Sequence, residues 1–188
     1  MRPYQRHAAV LLLITMLAAT PTLATEYRFR PDQTSVRFSS LSGLVRLAGT
    51  INGARGTVTY EPGKPVDSAI HVTLDMATLS TGSALLDRKL KSHDYFDVEA
   101  FPTASFASRA VRIIGKSRAS ITGDLTLHGV TRPVILVVTF KTHDAARSDN
   151  GQMLSAVFQI RRSEFGITKS QFMAGDRINL CIDAALYP

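Results

Sequence analysis

The sequence predicts a single all-β domain, either a barrel or a sandwich, and three observations carry that expectation. Short segments in which apolar and polar residues alternate recur along most of the chain, the two-residue period of strands with one face buried. Turn-forming pairs such as Ser42-Gly43 and Pro62-Gly63 separate those segments. Only one stretch carries the apolar spacing of an amphipathic helix. The 188 residues, 45% hydrophobic, show no internal repeat, low-complexity tract or break in composition, so one core is expected.

The N-terminus stands apart. Arg2 and Arg6 precede an apolar segment from Val10 to Ala19, which ends in Thr22-Leu23-Ala24. That segment is too short for a bilayer, which needs about 20 apolar residues. Residues 1–24 are therefore expected to be a cleavable secretory signal, with the domain spanning 25–188. No cysteine stands directly after the apolar segment, which argues against a lipid anchor. Removing Arg2 and Arg6 lowers the net charge from +7 to +5. The remaining cations are scattered, densest at Asp87 to Lys91, and no nucleic-acid-binding signature accompanies them. Nucleic acid is not an expected partner; a mildly basic surface suits transient contact with anionic membrane lipid. The single cysteine, Cys181, has no intramolecular disulfide partner, so stability must come from core burial.

Strands follow in order. Thr34 to Leu41 sets Val36 and Phe38 against Ser35, Arg37 and Ser39. Leu44 to Ile51 and Gly56 to Gly63 come next. Ala69 to Met76 then places Ile70, Val72 and Leu74 opposite His71, Thr73 and Asp75. Thr81 to Pro102 interrupts the pattern: Leu86 and Leu90, four apart, predict one short helix that Ser83 caps, and the following turn carries Tyr95 and Phe96 inward. Ala104 to Ile114 contains Phe106, and Ser117 to Gly129 places Leu125 and Leu127 on one face. A polar bend from His128 to Pro133 leads into Val134 to Phe140. Met153 to Ile160, with Phe158, and Arg177 to Leu186, with Ile178, Leu180 and Ile182 opposite Cys181, complete the set.

The strand Val134 to Phe140 is apolar on both faces. In a barrel, one face, with Leu136 and Val138, would line the lumen, and the other would pack under a helix or against a second subunit as a homodimer. A barrel of about eight strands is just wide enough to hold one small ligand. Purely structural cores also produce such runs. Catalytic and metal signatures are lacking: no nucleophile motif, phosphate loop or dinucleotide fingerprint occurs, and no cofactor is expected. His93-Asp94 and His143-Asp144 read as surface loop pairs, and His128 and Arg132 as groups that satisfy turn backbone or water.

Three blocks carry a resemblance. Asp87-Arg88-Lys89-Leu90-Lys91-Ser92 leads into Asp94-Tyr95-Phe96-Asp97-Val98 and then Pro102, Phe106 and Ser108. Gly123 to Val134 reads GDLTLHGVTRPV, Arg162 to Ile167 reads RSEFGI, and Gly175-Asp176 precedes the last strand. In that order they resemble the YceI-like polyisoprenoid-binding family over essentially the whole chain after residue 24. The resemblance implies an extended, lipocalin-like antiparallel barrel of about eight strands with one short helix, exported to the periplasm. It implies a polyisoprenoid or isoprenoid-quinone-like lipid held in an apolar tunnel. Expected lining residues are Val36, Phe38, Ile70, Val72, Leu74, Phe96 and Phe106, with Leu125, Leu136, Val138, Phe158, Phe165, Ile178, Leu180 and Ile182. Leu86 stands where the family usually carries Arg, and no His lies near Leu41. The expected function is non-catalytic carriage or sequestration of the lipid; the alternative is an enzyme acting on a lipid in the same cavity.

Overall fold

The computed structural model describes residues 24–60, 64–141, 151–169 and 175–188; residues 1–23 of the signal-like segment, and His143 with Asp144, lie outside them. Ten strands form one antiparallel sheet: β1 (Thr25–Phe29), β2 (Ser35–Ser42), β3 (Val45–Asn52), β4 (Arg55–Tyr60), β5 (Ala69–Asp75), β6 (Thr103–Gly115), β7 (Arg118–Leu127), β8 (Val130–Lys141), β9 (Gln152–Arg161) and β10 (Arg177–Tyr187). One helix, α1 (Ala84–Lys91), lies between β5 and β6.

Closure comes from β1, which the sequence reading passed over because five residues give too short an alternation to stand out. It pairs with β4 on one side and with the end of β10 on the other, at Arg28–Tyr187 and Phe29–Leu186. The ring β1-β4-β5-β6-β7-β8-β9-β10 thus closes with eight strands, which leaves no free edge around it. A 3-10 turn at Pro31–Gln33 breaks the edge strand, and β2 continues along β10 from Ile178 to Asp183. The β2–β3 hairpin is therefore an extension of the ring, and its outer edge is met by Ser80, whose backbone exchanges two hydrogen bonds with Thr50 (2.8 and 2.9 Å).

The polar bend is shorter than expected. Only His128 and Gly129 form it, with φ of +52° and +72°, the left-handed pair that a two-residue hairpin requires. Pro133 sits inside β8, opposite Asp124, where β9 has not yet joined; β8 pairs with β9 only from Val137 onward. A missing N–H costs no ladder bond there. On β8, Val134, Leu136 and Val138 are buried inward. Outward, Ile135 remains 62% exposed and Val157 of β9 51%, so among the described residues no helix covers this second face.

The helix is held at one end of the barrel. Ser83 Oγ accepts from Leu86 N (3.5 Å), Leu90 is buried, and Lys91 Nζ donates to Ala77 O (2.6 Å). Asp87 accepts from both the hydroxyl and the backbone N–H of Thr81 (2.6 Å each) and from Ser80 Oγ (3.1 Å). Those bonds, the Thr81 hydroxyl foremost, hold its carboxyl below the ordinary carboxylate range. A depressed acid contributes its stability above its unfolded value and loses it as pH falls through the folded one. Asp87→Ala should therefore lower the melting temperature at pH 7, and the gap from wild type should narrow below about pH 4. Thermal unfolding across that range checks it; a gap independent of pH would contradict the assignment.

Candidate ligand-binding cavity

The ring encloses a cavity of about 1000 Å³. That is the upper end of the roughly 300–1,000 Å³ typical of small-molecule sites. Its wall is apolar because alternation aims one face of every ring strand inward. From β5 come Ile70, Val72 and Leu74; from β2, Val36 and Phe38; from β10, Ile178, Leu180 and Ile182. Phe96, Phe106, Leu125, Leu136, Val138 and Phe158 also line it. Phe165 does not. The alternation of β9 ends at Arg161, and the 3-10 turn Arg162–Phe165 sets the Phe165 ring fully inside the closed core, 0% exposed.

The size of the cavity decides what it is. At roughly 24 cal/mol per Å³ of residual void, an enclosed defect this large would cost about 24 kcal/mol. A whole domain is stable by only about 5–15 kcal/mol. A packing flaw of that size is excluded; the space is the interior of a site open to solvent. It opens at one end. At the end bearing α1, the lining residues Leu90, Tyr95, Leu127, Arg162 and Ile167 are all buried, from 2% to 8% exposed. At the other end Tyr60 is 39% and Ile113 51% exposed, and the β6–β7 turn from Gly115 to Arg118 forms the rim. Among the described residues the tunnel is blind.

Its floor is a hydrogen-bonded plug. Arg162, 4% exposed, donates from Nη1 to the carbonyls of Ile167 (2.7 Å) and Lys169 (2.9 Å), and from Nε to Gly175 O (3.3 Å). His128 Nδ1 donates to Phe165 O (3.1 Å) and Arg132 Nε to Glu164 O (3.1 Å), which tie the β7–β8 turn to the same segment. The backbone these side chains satisfy thus belongs to the neighbouring segment, not to their own turn. His93 is exposed and Asp94 is engaged mainly by Lys89 Nζ at 2.7 Å, as suits a surface pair.

Two glycines keep the lumen clear. An added methyl at Gly49 would come within 2.5 Å of the Phe38 ring, and one at Gly123 would overlap the Phe106 ring and the Ala107 carbonyl. Each ring therefore lies back over a bare strand and does not project across the tunnel. Two wall hydroxyls, Thr34 Oγ1 and Ser68 Oγ, are buried with no hydrogen-bond partner. No carboxylate, imidazole or thiol is in the lining among the described residues.

Sequence reasoning missed part of this wall. Leu154, Ala156 and Ile160 share the parity of Phe158 and could have been found by extending its alternation. Tyr27 and Phe29 belong to the overlooked β1. Arg162, Thr34 and the rim carry no periodic signal; only the three-dimensional path of the chain brings them to the lumen. The glycine argument predicts that Gly123→Ala costs about 1–3 kcal/mol, the range for overpacking. Gly115→Ala on the rim should be near neutral, since its methyl would meet only Arg118 Cβ at 3.8 Å. Denaturant unfolding of both variants checks this, and equal losses would contradict it.

Comparison with known proteins agrees with the architecture. The YceI-like domain profile matches residues 27–186. A UPF0312 protein of Pseudomonas savastanoi pv. phaseolicola is 38% identical over 136 residues, 71% of each chain, and one from Photorhabdus laumondii is 38% identical over 125 residues, 64% of each. Among solved structures, Burkholderia cenocepacia BcnA superposes with a TM-score of 0.75 at 22% identity, covering 84% of this chain and 98% of that one. A polyisoprenoid-binding domain from Saccharophagus degradans, implicated in plant cell wall breakdown, gives a TM-score of 0.68 at 10% identity, covering 86% and 97%. Those two likenesses concern the fold, whereas the profile match spans nearly all of the described barrel: the chain belongs to the YceI-like family.

Proposed function

We propose that the protein is a non-catalytic carrier or reservoir that takes a polyisoprenoid or similar long amphipathic lipid into its lumen, tail first. The observation that carries this reading is the blind apolar tunnel, open at one end and free of carboxylate, imidazole and thiol groups in its described wall. The Saccharophagus domain, named for polyisoprenoid binding, supports the ligand class by likeness of fold. The signal-like pattern of residues 1–24 supports a periplasmic setting for this role.

The mechanism is solvent exchange. Each buried CH₂ recovers about 0.8 kcal/mol, and a realistic ceiling for a large ligand is about 0.3 kcal/mol per heavy atom. A five-carbon isoprene unit is then worth about 1.5 kcal/mol, and two units about 3 kcal/mol. A head-group hydrogen bond, to Thr34 or Ser68 for instance, contributes about 1 kcal/mol net. The tail dominates. Removing two isoprene units should weaken binding roughly 150-fold, whereas replacing a quinone head by an alcohol should cost about fivefold. Titration of delipidated protein with a chain-length series and a head-group series tests the proposal. Affinity flat with length and steep with head group would overturn it.

The wall itself is testable on β5. Val72 faces the lumen and Thr73 faces out. Val72→Arg would set an unpaired charge where the tail should lie, a costly burial. Lipid carried through purification should fall in Val72→Arg and persist in Thr73→Arg at comparable folded yield. Equal lipid content in the two variants would count against a lipid in the lumen.

A further inference from the structure

A blind tunnel has one route in and out, and here that route has a distinctive collar. The 3-10 turn Pro65–Asp67 packs against β6, which brings Val66 beside the rim. Val66 is 64% exposed, Ile113 51% and Ile114 48%, large apolar side chains facing water around the mouth. Interleaved with them are four exposed cations, Lys64, Arg112, Lys116 and Arg118; the acid among these described rim residues is Asp67. None of the four forms an ion pair in the described structure, whereas some cations along the barrel wall do: Arg37 with Asp183 (2.6 Å) and Arg109 with Asp124 (2.7 Å). Unmatched positive charge interleaved with exposed aliphatic side chains is the combination that seats a protein on an anionic bilayer, where each Lys or Arg near the surface adds about fivefold in partitioning.

We propose that the open end of the barrel is a docking surface for a bilayer rich in anionic phospholipid. Val66 and Ile114 enter the headgroup boundary, the four cations meet the phosphates, and the mouth is pressed to the membrane so that a tail passes between bilayer and lumen without crossing water. The inference rests on the lipid-carrier reading for its purpose, but the surface can be tested without cargo. The far end also exposes leucines, Leu41 at 65% and Leu44 at 103%, but the lining beneath them is sealed. That end serves as an internal control.

Co-sedimentation of delipidated protein with phosphatidylcholine vesicles, and with vesicles about one-third phosphatidylglycerol, is the direct measurement. Binding is expected to the anionic vesicles and to fall steeply with added salt. Lys64→Glu/Arg112→Glu should reduce partitioning about 25-fold or more, and Val66→Asp/Ile114→Asp should abolish it. Leu44→Asp at the sealed end should leave it unchanged. These mouth variants alter residues outside the cavity lining, so their affinity for a short soluble prenyl alcohol, measured without vesicles, should match wild type. Wild-type protein that ignores anionic vesicles, binds neutral ones equally well, or loses binding through Leu44→Asp and not through the mouth variants overturns the docking surface. Vesicle binding with no affinity for the prenyl alcohol would instead overturn the carrier reading and leave the docking surface standing.

Discussion

Closing eight strands into a ring fixes a lumen, and the lumen is the constraint to which the rest of the structure answers. Strand number sets barrel width, and at eight strands the interior lies between being filled by side chains and holding a guest. Here it is left open. Val36, Val72, Leu136 and Ile182 line the space, and two of the rings in its wall, Phe38 and Phe106, lie back over Gly49 and Gly123. The hydrophobic gain of a normal core is therefore incomplete until something apolar occupies the centre. Closure at Arg28–Tyr187 and Phe29–Leu186 is slight in extent, yet it turns an open sheet into a container.

A container also needs a floor. Arg162 to Ile167, one of the segments that resemble the family, supplies it by hydrogen bonding to backbone. Arg162 is a buried cation whose donors meet the carbonyls of Ile167, Lys169 and Gly175, so its charge is spread over backbone dipoles from several chain segments. Asp87 anchors the helix to Thr81, and Gly129 takes the left-handed φ of +72° that turns β7 into β8. The motif residues thus act on the barrel's shape, and the ligand meets mostly plain aliphatic side chains between them.

That division explains what could be read from sequence. Val72 and Thr73 fall on opposite sides because a strand has no other choice, so the inner and outer faces of β2, β5 and β10 were legible from alternation alone. Phe165 has no such alternation behind it, because the chain has already left β9 for a 3-10 turn when it reaches that ring. Alternation left the doubly apolar β8 ambiguous. Its inner face was identified, but whether Ile135 would be covered depended on where α1 packs, and α1 sits at the barrel's end. The mouth was invisible for a deeper reason. Val66, Ile114 and Arg112 are far apart in sequence or mixed among ordinary strand residues, and only the topology gathers them at one rim.

The central claim is that the lumen is built around a lipid tail. Native mass spectrometry of the protein purified from its own cell envelope, followed by extraction and identification of whatever it carries, tests that claim most directly. The account predicts a bound mass that extraction resolves into a long-chain isoprenoid or related amphipathic lipid. A bare protein mass, regained without uptake when the protein is incubated with extracted envelope lipids, would contradict it.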